Sequence, residues 1–339
     1  MKFSRYKICI PSIDIDVFKG GLIFLVIIGH CHKVFPTGIV QVIYWFHMPC
    51  FFMLSGWVSI FPPSNGYKEW VVKKVKRLLI PQFVWFFILT SIQGRLNLTL
   101  LSVFLKGARN LGGVYWYIPV LFFDLILFEI IRNMCSGSLI KMDVVFILIY
   151  FLVIFFQYWV WIRISLKEVT FSLGVSLLCL VYMYMGYRLR LWHEEKSRLS
   201  IIVIVCAICL LIFTIILYKL GIYKYNMNLA GMEIGFAGLN LLIPFSFMIC
   251  MIFAMNILFS VEKRKSVDWI LKCIRKLGKN SLLVMYLHKY ILNDILEPLF
   301  WDSNFMWMIN VLLTIIVVHF FLLILSKIPC SMRRMLGGE

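Results

Sequence analysis

Apolar residues run in blocks of roughly 20 along most of the chain, set apart by short polar and charged stretches. A helix needs about that many residues to cross hydrocarbon, and a barrel strand needs far fewer. Ten blocks predict ten helical spans: roughly 17–35, 39–61, 78–94, 113–132, 142–162, 170–190, 200–220, 238–260, 280–299 and 305–326. The third is short, because Pro81, Gln82 and Gln93 fall in or near it. The expected fold class is all-α: one polytopic membrane domain over 1–339, without internal repeats. Two longer loops, 95–112 and 221–237, offer the main outer surface for an acceptor molecule, and the second holds Glu233.

Composition excludes a soluble domain. The 339 residues are 62% hydrophobic, with a mean hydropathy of +0.92. The net charge of +18 invites a nucleic-acid partner, but its distribution argues for a membrane instead. With the N-terminus inside, the inner loops and tails carry 24 Lys/Arg and the outer loops 9, while Lys19 lies within the first span. This is the positive-inside pattern, so both termini are expected in the cytoplasm and the excess charge beside anionic lipid. Lys2, Arg5 and Lys7 precede the first apolar block, as in a signal peptide. The block is long, holds His30 and lacks a small-residue cleavage site, which predicts a retained span. The ten cysteines are scattered, mostly inside apolar runs, and Cys206-x-x-Cys209 has no partners for a redox or metal pair.

Ionisable groups inside a bilayer are costly and point to function. The stretch from Ile13 to Phe61 reads as two apolar helices joined by a tight turn at Pro36-Thr37-Gly38. His30 lies shortly before that turn and His47 shortly after it, so a hairpin brings both imidazoles to similar depth. Lys19 precedes His30 by eleven residues, about 16 Å along one helix face, and Asp16 is placed to pair with Lys19. Snorkelling of Lys19 to the headgroups is the plainer alternative. In His47-Met48-Pro49 the proline frees the Trp45 carbonyl and predicts a kink beside His47; a packed core histidine is the competing reading.

Further constellations follow. In Gly278–His288, Asn280 or Ser281 is placed to cap a helix that carries Tyr286 and His288 toward mid-membrane. An interhelical hydrogen bond accounts for His288 equally well. Lys73, Lys74, Lys76 and Arg77 form a basic cluster that serves phosphate binding or topology. Asp124 and Glu129 lie below Trp116-Tyr117, and buried carboxylates there call for a cation or histidine partner. His193 and His319 receive no role. The chain has no Walker motif, HExxH or paired CxxC, which argues against an ATP-driven pump or a zinc protease.

Six segments together resemble the acyltransferase-3 family of integral membrane acyltransferases. They are IDIDVFKGGLIFLVIIGH (13–30), FHMPCFFMLSGW (46–57), KKVKRLLIP (73–81), VYWYIPVLFF (114–123), YMGYRLR (184–190) and GKNSLLVMYLH (278–288). Order, spacing and the ten-span count all fit. Many members carry Arg where this chain has Lys19, which keeps the charge but forgoes bidentate phosphate binding.

The resemblance implies transfer of an acyl group, usually acetyl from acetyl-CoA, to a hydroxyl, with no metal. It implies a bacterial inner-membrane enzyme acting on a sugar of O-antigen, capsule or exopolysaccharide, free or lipid-linked. His30 and His47 are the catalytic candidates, with His30 as general base and His47 orienting it or stabilising the oxyanion. Lys19, Asp16, Lys73 and Arg77 are the donor-binding candidates. Trp116, Tyr117, Asp124, Glu233, Ser281 and His288 are the acceptor-side candidates. The competing class is a transporter or flippase of lipid-linked sugars with histidine proton relays, although the repeated halves common in such proteins are missing.

Overall fold

The computed structural model describes residues 14–31, 37–59, 66–92, 115–156, 173–196, 201–222, 227, 229, 235–261, 265–296 and 306–338. It is all-helical, with no strand among the described residues. The elements are α1 (Ile15–His30), α2 (Thr37–Tyr44), α3 (His47–Val58), α4 (Tyr67–Lys74), α5 (Ile80–Ile92), α6 (Tyr117–Met134) and α7 (Leu139–Phe155). They continue as α8 (Leu173–Lys196), α9 (Ile201–Lys219), α10 (Leu239–Val261), α11 (Lys265–Lys279), α12 (Ser281–Tyr290), α13 (Met306–Ser326) and α14 (Cys330–Met335).

Among the described residues, five stretches are long and apolar enough to cross a membrane: Gly38–Val58, Tyr67–Ile92, Ile201–Lys219, Leu239–Leu258 and Met308–Ser326. The other predicted spans coincide with helices that are shorter or more polar. The 16 residues of α1 reach about 24 Å, short of a typical hydrocarbon core. Helix α6 carries Asp124, Glu129 and Arg132. Helix α12 gives way to a π-helical segment, Ile291–Leu296. The predicted turn residue Pro36 lies outside the described residues, and Thr37 already belongs to α2.

Two helix crossings organise the bundle, and both are made by glycine. A Cβ on Gly56 of α3 would run into the Met183 carbonyl of α8, and one on Gly186 of α8 would run into the Met53 carbonyl of α3. The relation is reciprocal, so each backbone rests on the bare face of the other, as small residues permit in membranes. Likewise Gly20 of α1 lies against the Ile274 carbonyl, and Gly278 of α11 against the Asp16 carbonyl.

Prolines set the irregularities. Pro81 cannot donate to the Arg77 carbonyl, and the helix widens just before it into a π-helical stretch, Val75–Leu79. Pro244 within α10 likewise leaves the Asn240 carbonyl without its helical donor, and the Tyr182 hydroxyl donates to it at 2.6 Å. The kink expected beside His47 is present, on the N-terminal side of that residue. The helix breaks at Trp45-Phe46, whose amides bond to carbonyls three residues back, and Pro49 sits in the first turn of α3 where no helical donor is needed.

Candidate active site

The site is built on one stripe of α1. Lys19, Ile23, Val26 and His30 recur at helical spacing and together line a single cavity of about 1890 Å³. The first turn of this helix is fixed firmly. Asp14 is its N-cap, accepting from the amides of Asp16 at 3.0 Å and Val17 at 3.1 Å. The second Asp14 oxygen accepts from Arg275 Nε of α11 at 2.5 Å. Asp16 holds Lys19 at 3.1 Å, the pairing expected from their spacing, although Asp16 itself is not on the cavity wall.

Three histidines meet at one end of the cavity. His30 and His288 have ring centroids 5.0 Å apart. Tyr44 stands between His30 and His47, at 6.4 Å from the first ring and 5.1 Å from the second, edge-on to both. His47 and His288 are anchored alike. Each Nδ1 lies beside the carbonyl one turn back, Ile43 at 2.8 Å and Val284 at 2.9 Å respectively. A carbonyl only accepts, so Nδ1 carries the proton, and in the neutral ring Nε2 is left with a lone pair. His288 is fully buried, and its Nε2 has no partner among the described residues. Among the described residues the histidine therefore bonds within its own helix and not across to a neighbour.

The other end is basic. Lys73 and Lys74 at the end of α4, with Lys76 and Arg77 in the π-helical stretch, all face the cavity. The wall carries nine Lys or Arg side chains and one carboxylate, Glu69, among the described residues. That imbalance favours an anionic occupant. Lys74 also lies over the Trp70 ring, 5.6 Å from its centroid.

Trp116 and Tyr117, where α6 begins, form the aromatic side of the cavity. They are held by rings of α3: Phe52 lies 6.3 Å from Trp116, and Phe51 lies 6.0 Å from Tyr117. A buried network supports them from behind. Gln82 of α5 donates to the Tyr115 carbonyl at 2.9 Å and accepts from the Tyr286 hydroxyl at 2.6 Å. Ser281 also lines the cavity. Asn280 occupies the N-cap position of α12, but its side chain turns back to donate to the Lys276 carbonyl at 2.9 Å and does not cap.

Of the two carboxylates on α6, the acceptor-side candidate Asp124 does not join the cavity, and Glu129 has the cation partner expected of it. Asp124 is fully buried between α6 and α8, where it accepts from Ser176 and has no cation or histidine partner among the described contacts. Glu129 pairs with Arg132 of its own helix, with oxygen to nitrogen distances of 2.6 and 2.9 Å. Glu233 lies outside the described residues. Tyr44 is a wall residue whose place becomes clear only in three dimensions; its spacing of three from His47 was the available signal. His319 bonds its own helix at Ile315, and His193 packs 5.6 Å from Trp57. Arg190, behind α3, donates to the Trp57 carbonyl at 3.1 Å and so closes the end of the helix that carries His47.

No solved structure matches the chain. Nodulation protein NolL of Mesorhizobium japonicum is 28% identical over 135 residues, 36% of this chain and 36% of that protein. The match thus spans about a third of the relative's length. A family described as an acyltransferase domain matches residues 12–326, which takes in the α1 stripe, all three histidines and the basic rim. With nearly the whole cavity inside that match, the chain belongs to the acyltransferase-3 family of membrane acyltransferases.

Proposed function

We propose that this acyltransferase moves an acetyl group from acetyl-CoA to a sugar hydroxyl of a bacterial cell-surface polysaccharide or its lipid-linked precursor. It does so in the inner membrane, with ten spans and both termini in the cytoplasm. One observation carries the reading: a continuous cavity runs from a cationic rim to a cluster of three histidines. An acyl-CoA is a long molecule with phosphates at one end and a thioester at the other. The α1 stripe separates Lys19 from His30 by about 16 Å, a span that an extended pantetheine arm covers. The donor's phosphates sit at Lys73 through Arg77, with Lys19 further along the arm.

At the histidine end, His30 takes the proton of the acceptor hydroxyl as the oxygen attacks the thioester carbonyl. The tetrahedral intermediate collapses, the C–S bond breaks, and the coenzyme A thiolate leaves with the proton from His30. The products are an O-acetyl sugar and coenzyme A. His47 and His288, proton on Nδ1, each offer a lone pair to orient the acceptor hydroxyl. His47 donates to the oxyanion only when charged. Trp116, Tyr117 and Ser281 supply the apolar and hydroxyl surface against which a sugar packs.

The test is acetyl transfer and exchange from labelled acetyl-CoA by purified protein, together with mass spectrometry of surface glycans with and without the protein. His30→Ala should abolish transfer at unchanged protein level. Wild-type acetylation by that variant overturns the general-base role. Transport of a lipid-linked sugar without acetyl turnover favours the flippase class.

A further inference from the structure

The chain beyond the family match returns to the cavity. The match stops at residue 326, yet Cys330, Arg334, Met335, Gly337 and Gly338 all line the wall. Helix α14 ends on Gly337 in a left-handed conformation, φ 80°, where L side chains are strained. The turn brings Gly337 against Pro81 and Leu282, and Gly338 against Asn280. Trp85 Nε1 of α5 donates to the Leu336 carbonyl at 2.8 Å and pins the segment there. The tail is thereby wedged between α5 and α12 at the basic rim.

We propose that this C-terminal segment completes the phosphate-binding rim and that Arg334 grips a phosphate of the coenzyme A donor opposite Arg77. The inference rests on the acyl-CoA reading above and adds a residue to it. Of the nine cations on the wall among the described residues, Arg77 and Arg334 are the arginines. A guanidinium presents two parallel N–H donors to a phosphate, whereas a lysine is a point charge. Cys330 gives the segment a built-in reporter. It is exposed on the same wall, and the Arg333 side chain, with the charge of Arg334, holds its thiol below the usual range, which favours the reactive thiolate.

The experiment uses the full-length protein in detergent. Maleimide labelling of Cys330 is followed by peptide mass spectrometry with and without coenzyme A, and affinity is measured by direct titration. Coenzyme A should slow labelling of Cys330, and pantetheine, which lacks the nucleotide phosphates, should not. Arg334→Ala should weaken coenzyme A binding about tenfold, leave pantetheine binding unchanged, and be partly rescued by Arg334→Lys. Trp85→Phe should unpin the tail and weaken coenzyme A binding in the same direction. If wild type binds coenzyme A and Arg334→Ala binds it equally tightly, this assignment is overturned and the acyl-CoA reading stands. If wild type binds no coenzyme A, the acyl-CoA reading and this inference fall together.

Discussion

The His30 and His288 rings lie 5.0 Å apart and tilted by 41°, although 258 positions separate them in the chain. The contact places the unpartnered Nε2 of His288 at the same end of the cavity as the candidate base. A neutral imidazole there is an acceptor with nothing else to accept from among the described residues. We therefore expect His288→Ala to lower turnover by about 100-fold, the usual scale for a lost proton-handling or orienting group. Steady-state kinetics on purified variants, with unfolding temperature as the control, decide it. Wild-type turnover in His288→Ala would reduce the contact to packing.

Neighbouring glycines of α1 should behave oppositely. A Cβ at Gly20 meets the Ile274 carbonyl, while at Gly21 the nearest atom is the Met251 methyl at 3.9 Å. Gly20→Ala must push α11 away and should cost about 1–3 kcal/mol. Gly21→Ala fills ordinary space and gains helix propensity, so it should be neutral or stabilising. Thermal unfolding in one detergent compares the two directly. Equal unfolding temperatures would mean that the α1–α11 crossing relaxes freely.

Much of this site was legible in the sequence, because it depends on local periodicity. Lys19 and His30 share a face at the α-helical 3.6 residues per turn, and the basic run at Lys73–Arg77 is contiguous. What escaped depends on distant parts meeting. His288 reads from sequence as an acceptor-side candidate or as an interhelical bond, and only the packing of α12 beside α1 brings it to His30. Asp14 looks like one more charge before a span; its partner Arg275 comes from α11. The break at Trp45-Phe46 falls beside His47 as expected, but it splits the helix in two, so that Pro49 sits in a first turn and not inside a kinked helix. Asp124 reads as an acceptor ligand until α8 covers it and Ser176 donates to it. The tail's return to the cavity follows from Trp85 and has no local periodic signal.

The Asp14–Arg275 pair predicts a pH dependence. Partial burial pushes the Asp14 carboxyl up, but the hydrogen bond and charge of Arg275, with the amides of Val17 and Asp16, outweigh it. The net is a carboxyl held below its ordinary value of 3.8. A depressed folded pKa stabilises fully above the unfolded value and is lost as pH falls through the folded one. The difference between wild type and Asp14→Asn should therefore be constant across neutral pH and shrink below about 4. Asn keeps the capping oxygen but turns an NH2 donor toward Arg275, so this variant removes the ion pair with its hydrogen bond, and Asp14→Ala should cost about 1 kcal/mol more. Unfolding temperature against pH measures both. A gap that widens as pH falls would reverse the sign of the argument.

Lys19 provides the sharpest division between donor binding and a purely topological role. Its ammonium is held by Asp16 at 3.1 Å and is only 24% exposed, and it lies on the same cavity stripe as His30. A snorkelling lysine would have no effect on the donor. One that touches the pantetheine amides or phosphates binds ground state and transition state alike. Lys19→Ala should then raise the KM for acetyl-CoA more than it lowers kcat. Lys19→Arg should keep much of the function, since the charge is retained and Asp16 is there to orient it. Asp16→Asn should show a weaker form of the same KM effect, because the lysine stays but loses its anchor. Direct titration of coenzyme A settles the question: if Lys19→Ala binds it as tightly as wild type, Lys19 belongs to topology and the donor is held at the basic rim without it.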